Sequence, residues 1–86
     1  LDATWNRIKK VMAPGALDSV TKELIYIAVS VVNGCEYCVH SHTAVARKKG
    51  MTEEMRGELL SVIAMASQTN ALANAYQIEV DDSFKE

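Results

Sequence analysis

The chain has two cysteines, Cys35 and Cys38, and His42 follows the second of them by four positions. On an α-helix Cys38 and His42 lie about 40° apart around the axis and about 6 Å apart along it. Cys35 returns to within about 20° of His42, so the three side chains share one helix face. Disulfide chemistry needs two sulfurs close enough to bond and a base within reach of one of them. The spacing therefore predicts a reversible disulfide between Cys35 and Cys38 within one chain.

Cys35 is expected at the start of the helix that carries this face. Backbone N–H groups without helical partners and the positive end of the helix dipole favour a thiolate at such a position. Gly34 precedes Cys35, and we expect its missing side chain to leave the sulfur approachable. The alternative is that the cysteines line a core as small apolar residues, which their spacing and the shared face with His42 disfavour.

A zinc site is a second possible use of this segment, because Cys35, Cys38, His40 and His42 are all potential ligands. His40, however, lies about 200° from Cys38 around the helix, which predicts an exposed side chain and prevents one helix from turning all four ligands inward. A c-type haem requires a histidine directly after the second cysteine, where this chain has Val39. We expect no metal and no cofactor other than the Cys35–Cys38 disulfide.

Two further side chains each have two interpretations. Tyr37, between the cysteines, either donates a hydrogen bond near the sulfurs or packs as an ordinary aromatic residue. Glu23 stands near the start of an otherwise apolar helix. Local considerations alone favour a role for Glu23 in stabilising the N-terminal end of that helix dipole.

The elements that position these residues are predicted to be helices, because apolar residues recur with helical spacing and no segment alternates with period two for long. Gly34 and Gly50 are expected to end helices, and Asp18 or Ser19 and Thr52 to begin them. The predicted helices cover Asp2–Met12, about 18–32, about 35–49, about 53–66 and about 71–80, with a kink or break at 67–70. The sequence thus predicts an all-α, compact single-domain bundle of about five helices over residues 1–86.

Length and charge limit the possible partners. The chain has 86 residues and a net charge of −2, which predicts one domain and no general attraction to nucleic acid or anionic membranes. No apolar run approaches the roughly 20 residues that a membrane span needs, and no signal-peptide pattern is visible. A cysteine pair without a wider disulfide scaffold suits a reducing compartment, so we expect a cytoplasmic location.

The second predicted helix is apolar around most of its circumference, with Ile25 and Val29 broadening its main stripe. Such a helix is expected to be buried on most sides. A domain this short cannot cover it alone, so the sequence predicts a homo-oligomer.

Taken together, Glu23, the segment Cys35-Glu36-Tyr37-Cys38, His42 and Gly50 resemble the signature of the AhpD-like alkylhydroperoxidases, in the carboxymuconolactone decarboxylase superfamily. The resemblance covers about residues 13–63. It implies an AhpD-like helical fold that assembles into trimers or hexamers. It also implies an enzyme that reduces hydroperoxides or disulfides through a dithiol–disulfide cycle.

Residue by residue, the resemblance implies that Glu23 and His42 form a proton relay, partly through water, that deprotonates Cys38. Cys35 would then resolve the sulfenic acid as a disulfide. The implied substrate is a small hydroperoxide or disulfide, and the implied reductant is a thiol donor of the lipoyl or thioredoxin-like kind. Some relatives have a histidine where this chain has Tyr37, whose side chain is ordinarily protonated at neutral pH, so a disulfide reductase is equally compatible.

Two other functions remain as alternatives. One is a non-enzymatic redox sensor, which changes its assembly or partner when the disulfide forms. The other is a lactone decarboxylase like the superfamily's namesake, a branch that does not rely on a pair of cysteines at this spacing.

Overall fold

The computed structural model describes residues 1–85, so Glu86, the last residue of the predicted 1–86 domain, lies outside the described residues. The described part forms four α-helices and a short 3₁₀-helix, and it contains no β-strand. The α-helices are α1 (Asp2–Met12), α2 (Ser19–Asn33), α3 (Glu36–Lys48) and α4 (Glu53–Ala75), and the 3₁₀-helix is Asp82–Phe84. The predicted all-α fold is confirmed. None of the helices over residues 1–85 is long and apolar enough to cross a membrane.

The predicted number of about five helices is one too many, because α4 continues without a break through residues 67–70. The polar side chains in this stretch are compatible with a helical backbone. Thr69, for example, donates its hydroxyl hydrogen bond back to the carbonyl of Ala66 at 3.1 Å, a bond that helical backbone accommodates. The helix ends at Ala75 rather than near Val80, and Gln77 then adopts a left-handed φ of 51°.

The predicted caps of α2 and α4 are confirmed. The carboxylate of Asp18 accepts the backbone N–H of Thr21 at 2.7 Å, and the hydroxyl of Thr52 accepts the N–H of Met55 at 3.1 Å. The hydrogen bond from the Thr21 backbone holds the pKa of Asp18 below its ordinary value of 3.8. Each cap satisfies an N–H group that the first turn of a helix otherwise leaves without a partner.

The second helix is the centre of the fold, because α2 packs against each of the other three α-helices. The core that it forms with α3 and the start of α4 is small. Its buried apolar residues are Ile27, Ala46 and Met51, and four partly buried ones pack around them: Leu24, Val31, Met55 and Leu59. Neither α1 nor α4 has a buried residue.

A lysine ties α1 to the central helix. The ammonium Nζ of Lys22 donates hydrogen bonds to the carbonyl oxygens of Val11 at 2.8 Å and Ala13 at 2.6 Å. These carbonyls lie at the C-terminal end of α1, where helical partners are missing and a positive charge is favourable. The two hydrogen bonds hold the C-terminal end of α1 beside α2.

The apolar pattern predicted that α2 is buried on most sides, but the described residues of this chain leave one side of α2 exposed. Ile25, Val29 and Val32 are 49%, 54% and 69% exposed. The exposed area of 6947 Å² is about 1,900 Å² more than a folded monomer of this mass is expected to show. The outer face of α2 is therefore an apolar surface that the described residues leave open.

Candidate active site

The turn between α2 and α3 places Cys35. Gly34 ends α2 in the left-handed region with a φ of 71°, and the N–H groups of Gly34 and Cys35 donate to the carbonyls of Val31 at 3.2 Å and Ser30 at 2.9 Å. This pattern is a frequent helix ending that favours glycine. Cys35 is thereby the N-cap of α3, as predicted.

That the missing side chain of Gly34 leaves the sulfur of Cys35 approachable stays a prediction, and the structure adds a backbone reason for the glycine. Apart from its two chain neighbours, a Cβ at Gly34 would meet no atom within 4 Å, so packing against more distant residues does not require a glycine there. Its positive φ is the reason, because residues with a Cβ adopt that conformation only at a steric cost.

The structure joins Cys35 and Cys38 by a disulfide within the chain. Their Cα atoms are 5.3 Å apart, a separation typical of disulfides. The Sγ of Cys35 also accepts a hydrogen bond from the backbone N–H of Cys38 at 3.3 Å, which is the side-chain cap of α3. The predicted pairing within one chain is confirmed, and it follows from the i, i+3 spacing at a helix start.

A carboxylate and an imidazole meet between α2 and α3. The Nδ1 atom of His42 lies 3.0 Å from Oε1 and 3.4 Å from Oε2 of Glu23. Glu23 is only 2% exposed, and the side chain of His42 is 19% exposed. A buried carboxylate needs a partner, and an ionised carboxylate only accepts hydrogen bonds. Nδ1 is therefore the nitrogen assigned the proton, and Nε2 is left for other chemistry.

Local considerations favoured a role for Glu23 in stabilising the N-terminal end of the helix dipole, and the structure does not place Glu23 there. Glu23 lies beyond the first turn of α2 and is buried against α3, so it does not act as an exposed charge at a helix end. The structure thus brings together all four predicted site residues in two adjacent pairs: Cys35 with Cys38, and Glu23 with His42.

A tyrosine that the sequence did not single out also belongs to this group. The ring of Tyr26 stacks on the imidazole of His42, with 3.6 Å between the ring centroids and 18° between the ring planes. Tyr26 follows Glu23 by three positions on α2, so both side chains leave the helix on the same side. That spacing is the signal from which the sequence could have identified Tyr26.

A cavity of about 280 Å³ opens beside Cys38 and His42. Cys38 lines it and Cys35 does not. The cavity is bordered mostly by apolar and aromatic side chains, two of them from α1: Trp5, Ile8, Tyr26, Tyr37, Cys38, Ser41, His42 and Val45. Of the two cysteines, Cys38 is therefore the one presented to a molecule in this cavity.

The remaining candidates near the cysteines are exposed. Tyr37 is 79% exposed at the edge of the cavity, so it does not pack as an ordinary aromatic residue. His40 is exposed, as predicted. Over residues 1–85, no group of three or more histidine, cysteine or carboxylate side chains is arranged to hold a metal ion.

Comparisons with known proteins show what the chain is similar to. The chain is 40% identical over 72 residues to Alkyl hydroperoxide reductase AhpD of Solibacter usitatus, an alignment that covers 84% of this chain and 39% of that protein. It is 42% identical over 74 residues to Uncharacterized protein 4 in cox locus of Paracoccus denitrificans, which covers 86% of this chain and 67% of that protein. The chain thus spans about two fifths of the AhpD relative and two thirds of the other.

A solved structure and a family model complete the comparison. The crystal structure of the alkylhydroperoxidase AhpD core from Rhodospirillum rubrum matches with a TM-score of 0.93 and 55% identity, over 96% of this chain and 62% of that one. The model of the carboxymuconolactone decarboxylase family matches residues 1–79. The chain therefore belongs to the carboxymuconolactone decarboxylase family and has an AhpD-like fold.

Proposed function

We propose that this chain is a thiol-dependent oxidoreductase that reduces hydroperoxides through a dithiol–disulfide cycle of Cys35 and Cys38. One observation carries the proposal: the buried Glu23–His42 pair lies one helical turn from Cys38, the cysteine that borders the cavity. The relatives named alkyl hydroperoxide reductase support the same class of reaction.

In the first step, Nε2 of His42 takes the thiol proton of Cys38 while Nδ1 keeps its hydrogen bond to Glu23. The Cys38 thiolate attacks the terminal oxygen of the hydroperoxide, so an S–O bond forms and the O–O bond breaks. The departing alkoxide takes the proton from the imidazolium and leaves as an alcohol. The buried carboxylate of Glu23 stabilises the imidazolium between these two transfers.

In the second step, the sulfur of Cys35 attacks the sulfenic sulfur of Cys38. The S–S bond forms, the S–O bond breaks, and the hydroxyl leaves as water with the proton of the Cys35 thiol. The two thiols have then supplied two electrons to one hydroperoxide. Their placement on one helical turn keeps the second sulfur beside the first throughout.

The cycle closes when an external dithiol reduces the disulfide by thiol–disulfide exchange. Two donor thiols supply two electrons and two protons, and a donor disulfide is released. A lipoyl-type or thioredoxin-like donor has this chemistry, and the cytoplasm keeps such donors reduced. A small disulfide in place of the hydroperoxide would use the same two cysteines.

Sustained turnover tests the proposal. With dihydrolipoamide as donor, the protein should consume many equivalents of an organic hydroperoxide per chain, and Cys38→Ser should abolish this consumption. His40→Gln, at an exposed position outside the site, is the matched control and should retain it. Consumption that stops at one equivalent would favour a redox sensor. Decarboxylation of a carboxylated lactone that is unaffected by Cys38→Ser would favour the namesake reaction instead.

We also infer that the chain forms a homo-oligomer, a trimer or hexamer, through the open face of α2. A groove between α2 and α4, lined in part by Val29, Val32 and Val62, continues this apolar surface. The excess exposed area of about 1,900 Å², which is summed over the whole surface and not over this face alone, is more than twice the roughly 800 Å² that one partner contributes to an ordinary interface. It is therefore enough for two interfaces per chain, which a closed ring requires.

Sedimentation or light scattering at micromolar concentration tests the assembly. Val29→Glu, in the middle of the open face, should dissociate the oligomer, whereas Lys48→Glu, at the exposed end of α3, should not. A wild-type monomer at this concentration would contradict the inference.

A further inference from the structure

We propose that Tyr26 is a positioning residue for the reaction proposed above. Its ring holds the imidazole of His42 in the orientation in which Nδ1 meets Glu23 and Nε2 is left for the thiol proton of Cys38. This inference rests on the proposed function for its catalytic consequence, but the orientation of His42 is a property that can be measured by itself.

The need for a second contact follows from the torsions of histidine. The rotation that turns an imidazole about its bond to Cβ is broad and roughly two-fold, so it is not limited to narrow staggered wells. The single contact to Glu23, at 3.0 Å and 3.4 Å from the two carboxylate oxygens, restrains one atom of the ring. A ring flip would exchange Nδ1 for a carbon atom and lose the relay.

Tyr26 supplies the contact that blocks this rotation. The two ring planes lie only 18° from parallel with centroids 3.6 Å apart, so one face of the imidazole lies against the phenol ring. The imidazole cannot turn out of its plane without passing through the phenol ring. The hydrogen bond at one edge and the stack on one face therefore fix the ring together.

The position of Tyr26 is set by the central helix of the fold. It lies on α2 between α1 and α3, and it borders a cavity whose other walls include Ile8 and Val11 of α1. Its backbone carbonyl accepts the hydroxyl of the buried Ser30 at 2.8 Å. Tyr26 follows Glu23 by three positions on the same helix, so α2 carries both groups that contact His42.

The stack also suits the charge that His42 acquires. The face of a tyrosine or phenylalanine ring is electron-rich and attracts a cation within about 6 Å of the centroid. An imidazolium that has taken the Cys38 proton lies well inside that distance at 3.6 Å. The ring face, rather than the tyrosine hydroxyl, is the part that the inference requires.

Two substitutions separate the ring face from ordinary packing. Tyr26→Phe keeps the face and removes the hydroxyl, and Tyr26→Leu keeps apolar bulk and removes the face. Both are made in the reduced protein with His40→Gln, so that His42 is the one remaining histidine. Nitrogen-15 NMR of His42 then reports its tautomer and the proton on Nδ1 directly.

In wild type and Tyr26→Phe we expect one tautomer with the proton on Nδ1, and in Tyr26→Leu a mixture with a broadened Nδ1 proton signal. In a Cys35→Ser background, alkylation of Cys38 by iodoacetamide should slow about two- to tenfold in Tyr26→Leu, the range that an aromatic pair contributes. It should stay within about twofold of wild type in Tyr26→Phe. Tyr26→Ile repeats the test if the leucine variant loses its helical circular dichroism.

Either of two results would overturn the inference: a leucine variant with the wild-type tautomer and alkylation rate, or a phenylalanine variant as impaired as the leucine one. Failure of the proposed function has a different signature. In that case the tautomer and alkylation results still differ between leucine and phenylalanine, but the wild type does not turn over hydroperoxide.

Discussion

Cys38, and not Cys35, is expected to make the first attack on a hydroperoxide, although the structure gives both sulfurs a source of stabilisation as thiolates. Cys35 is the N-cap of α3, where the helix dipole contributes about 0.3–1 kcal/mol. Its Sγ also accepts the N–H of Cys38 at 3.3 Å, and with such a partly buried contact a helix terminus contributes up to about 2 kcal/mol. These two contributions favour Cys35 as the attacking thiolate.

The opposing contribution at Cys38 is larger. His42 lies one turn further along α3 and is already held by Glu23, and a charged hydrogen-bond partner contributes about 1.5–3 kcal/mol. At the middle of these two ranges the balance favours Cys38 by about 1 kcal/mol, or about fivefold in rate at about 1.4 kcal/mol per tenfold change. Access adds to this preference, since only Cys38 borders the cavity.

Trapping the sulfenic acid in single-cysteine variants measures the balance. Cys35→Ser should consume one equivalent of an organic hydroperoxide and form a dimedone adduct at Cys38, identified by peptide mass spectrometry. Cys38→Ser should react at least severalfold more slowly at Cys35. Faster adduct formation at Cys35 would show that the helix dipole outweighs the base, and the proposed roles of the two cysteines would have to be exchanged.

Three further predictions follow from the site and its supports. Glu23→Gln replaces the charge-assisted hydrogen bond to His42 with a neutral one, so the rate of single-turnover peroxide reduction should fall about five- to tenfold. Glu58→Gln, which removes an exposed carboxylate, is the control and should keep the wild-type rate. Equal rates in Glu23→Gln and in wild type would contradict the relay. Gly34→Ala should lower the free energy of unfolding in urea by about 1–2 kcal/mol, because alanine adopts the positive φ of this position only at a steric cost. Gly57→Ala within α4 is the control and should raise the free energy of unfolding by about 0.4–1 kcal/mol. A Gly34→Ala variant more stable than wild type would refute the backbone explanation. Because the pKa of Asp18 is lowered in the folded state from 3.8, its contribution is complete above that pH and is lost as pH falls through the folded value. The melting temperature of Asp18→Ala should therefore lie below that of wild type at pH 7 and approach it progressively as the pH is lowered below 3.8, and a constant difference would contradict the cap.

The sequence predicted the local features well because their causes lie within one or two helical turns. The bounds of α1, α2 and α3 follow from caps, glycines and apolar spacing, and the caps at Asp18 and Thr52 are both observed. The shared face of Cys35 and Cys38 requires only helix geometry. Each of these features is decided before any helix packs against another.

Features that depend on packing between helices were not predicted from spacing. That Glu23 reaches His42 depends on how α2 lies against α3, and only the family resemblance indicated it. The stack of Tyr26 on His42 was missed for the same reason. The polar residues at 67–70 predicted a kink or break, but α4 continues through them. None of these residues is a proline, so none removes a backbone hydrogen bond from the helix.

The place of the disulfide in the fold suits repeated oxidation and reduction. It closes a loop of only a few residues at the start of one helix, so in the chain-entropy model it contributes about 2 kcal/mol, less than the roughly 3 kcal/mol of a 15-residue loop. The packing of α2 against α3 depends instead on the left-handed turn at Gly34 and on the core around Ile27 and Ala46. Because neither of these involves the sulfur of Cys35 or Cys38, the reduced chain should keep the helix pair that holds Glu23 against His42. The relay is then in place at the stage of the cycle when Cys38 is a thiol and needs a base.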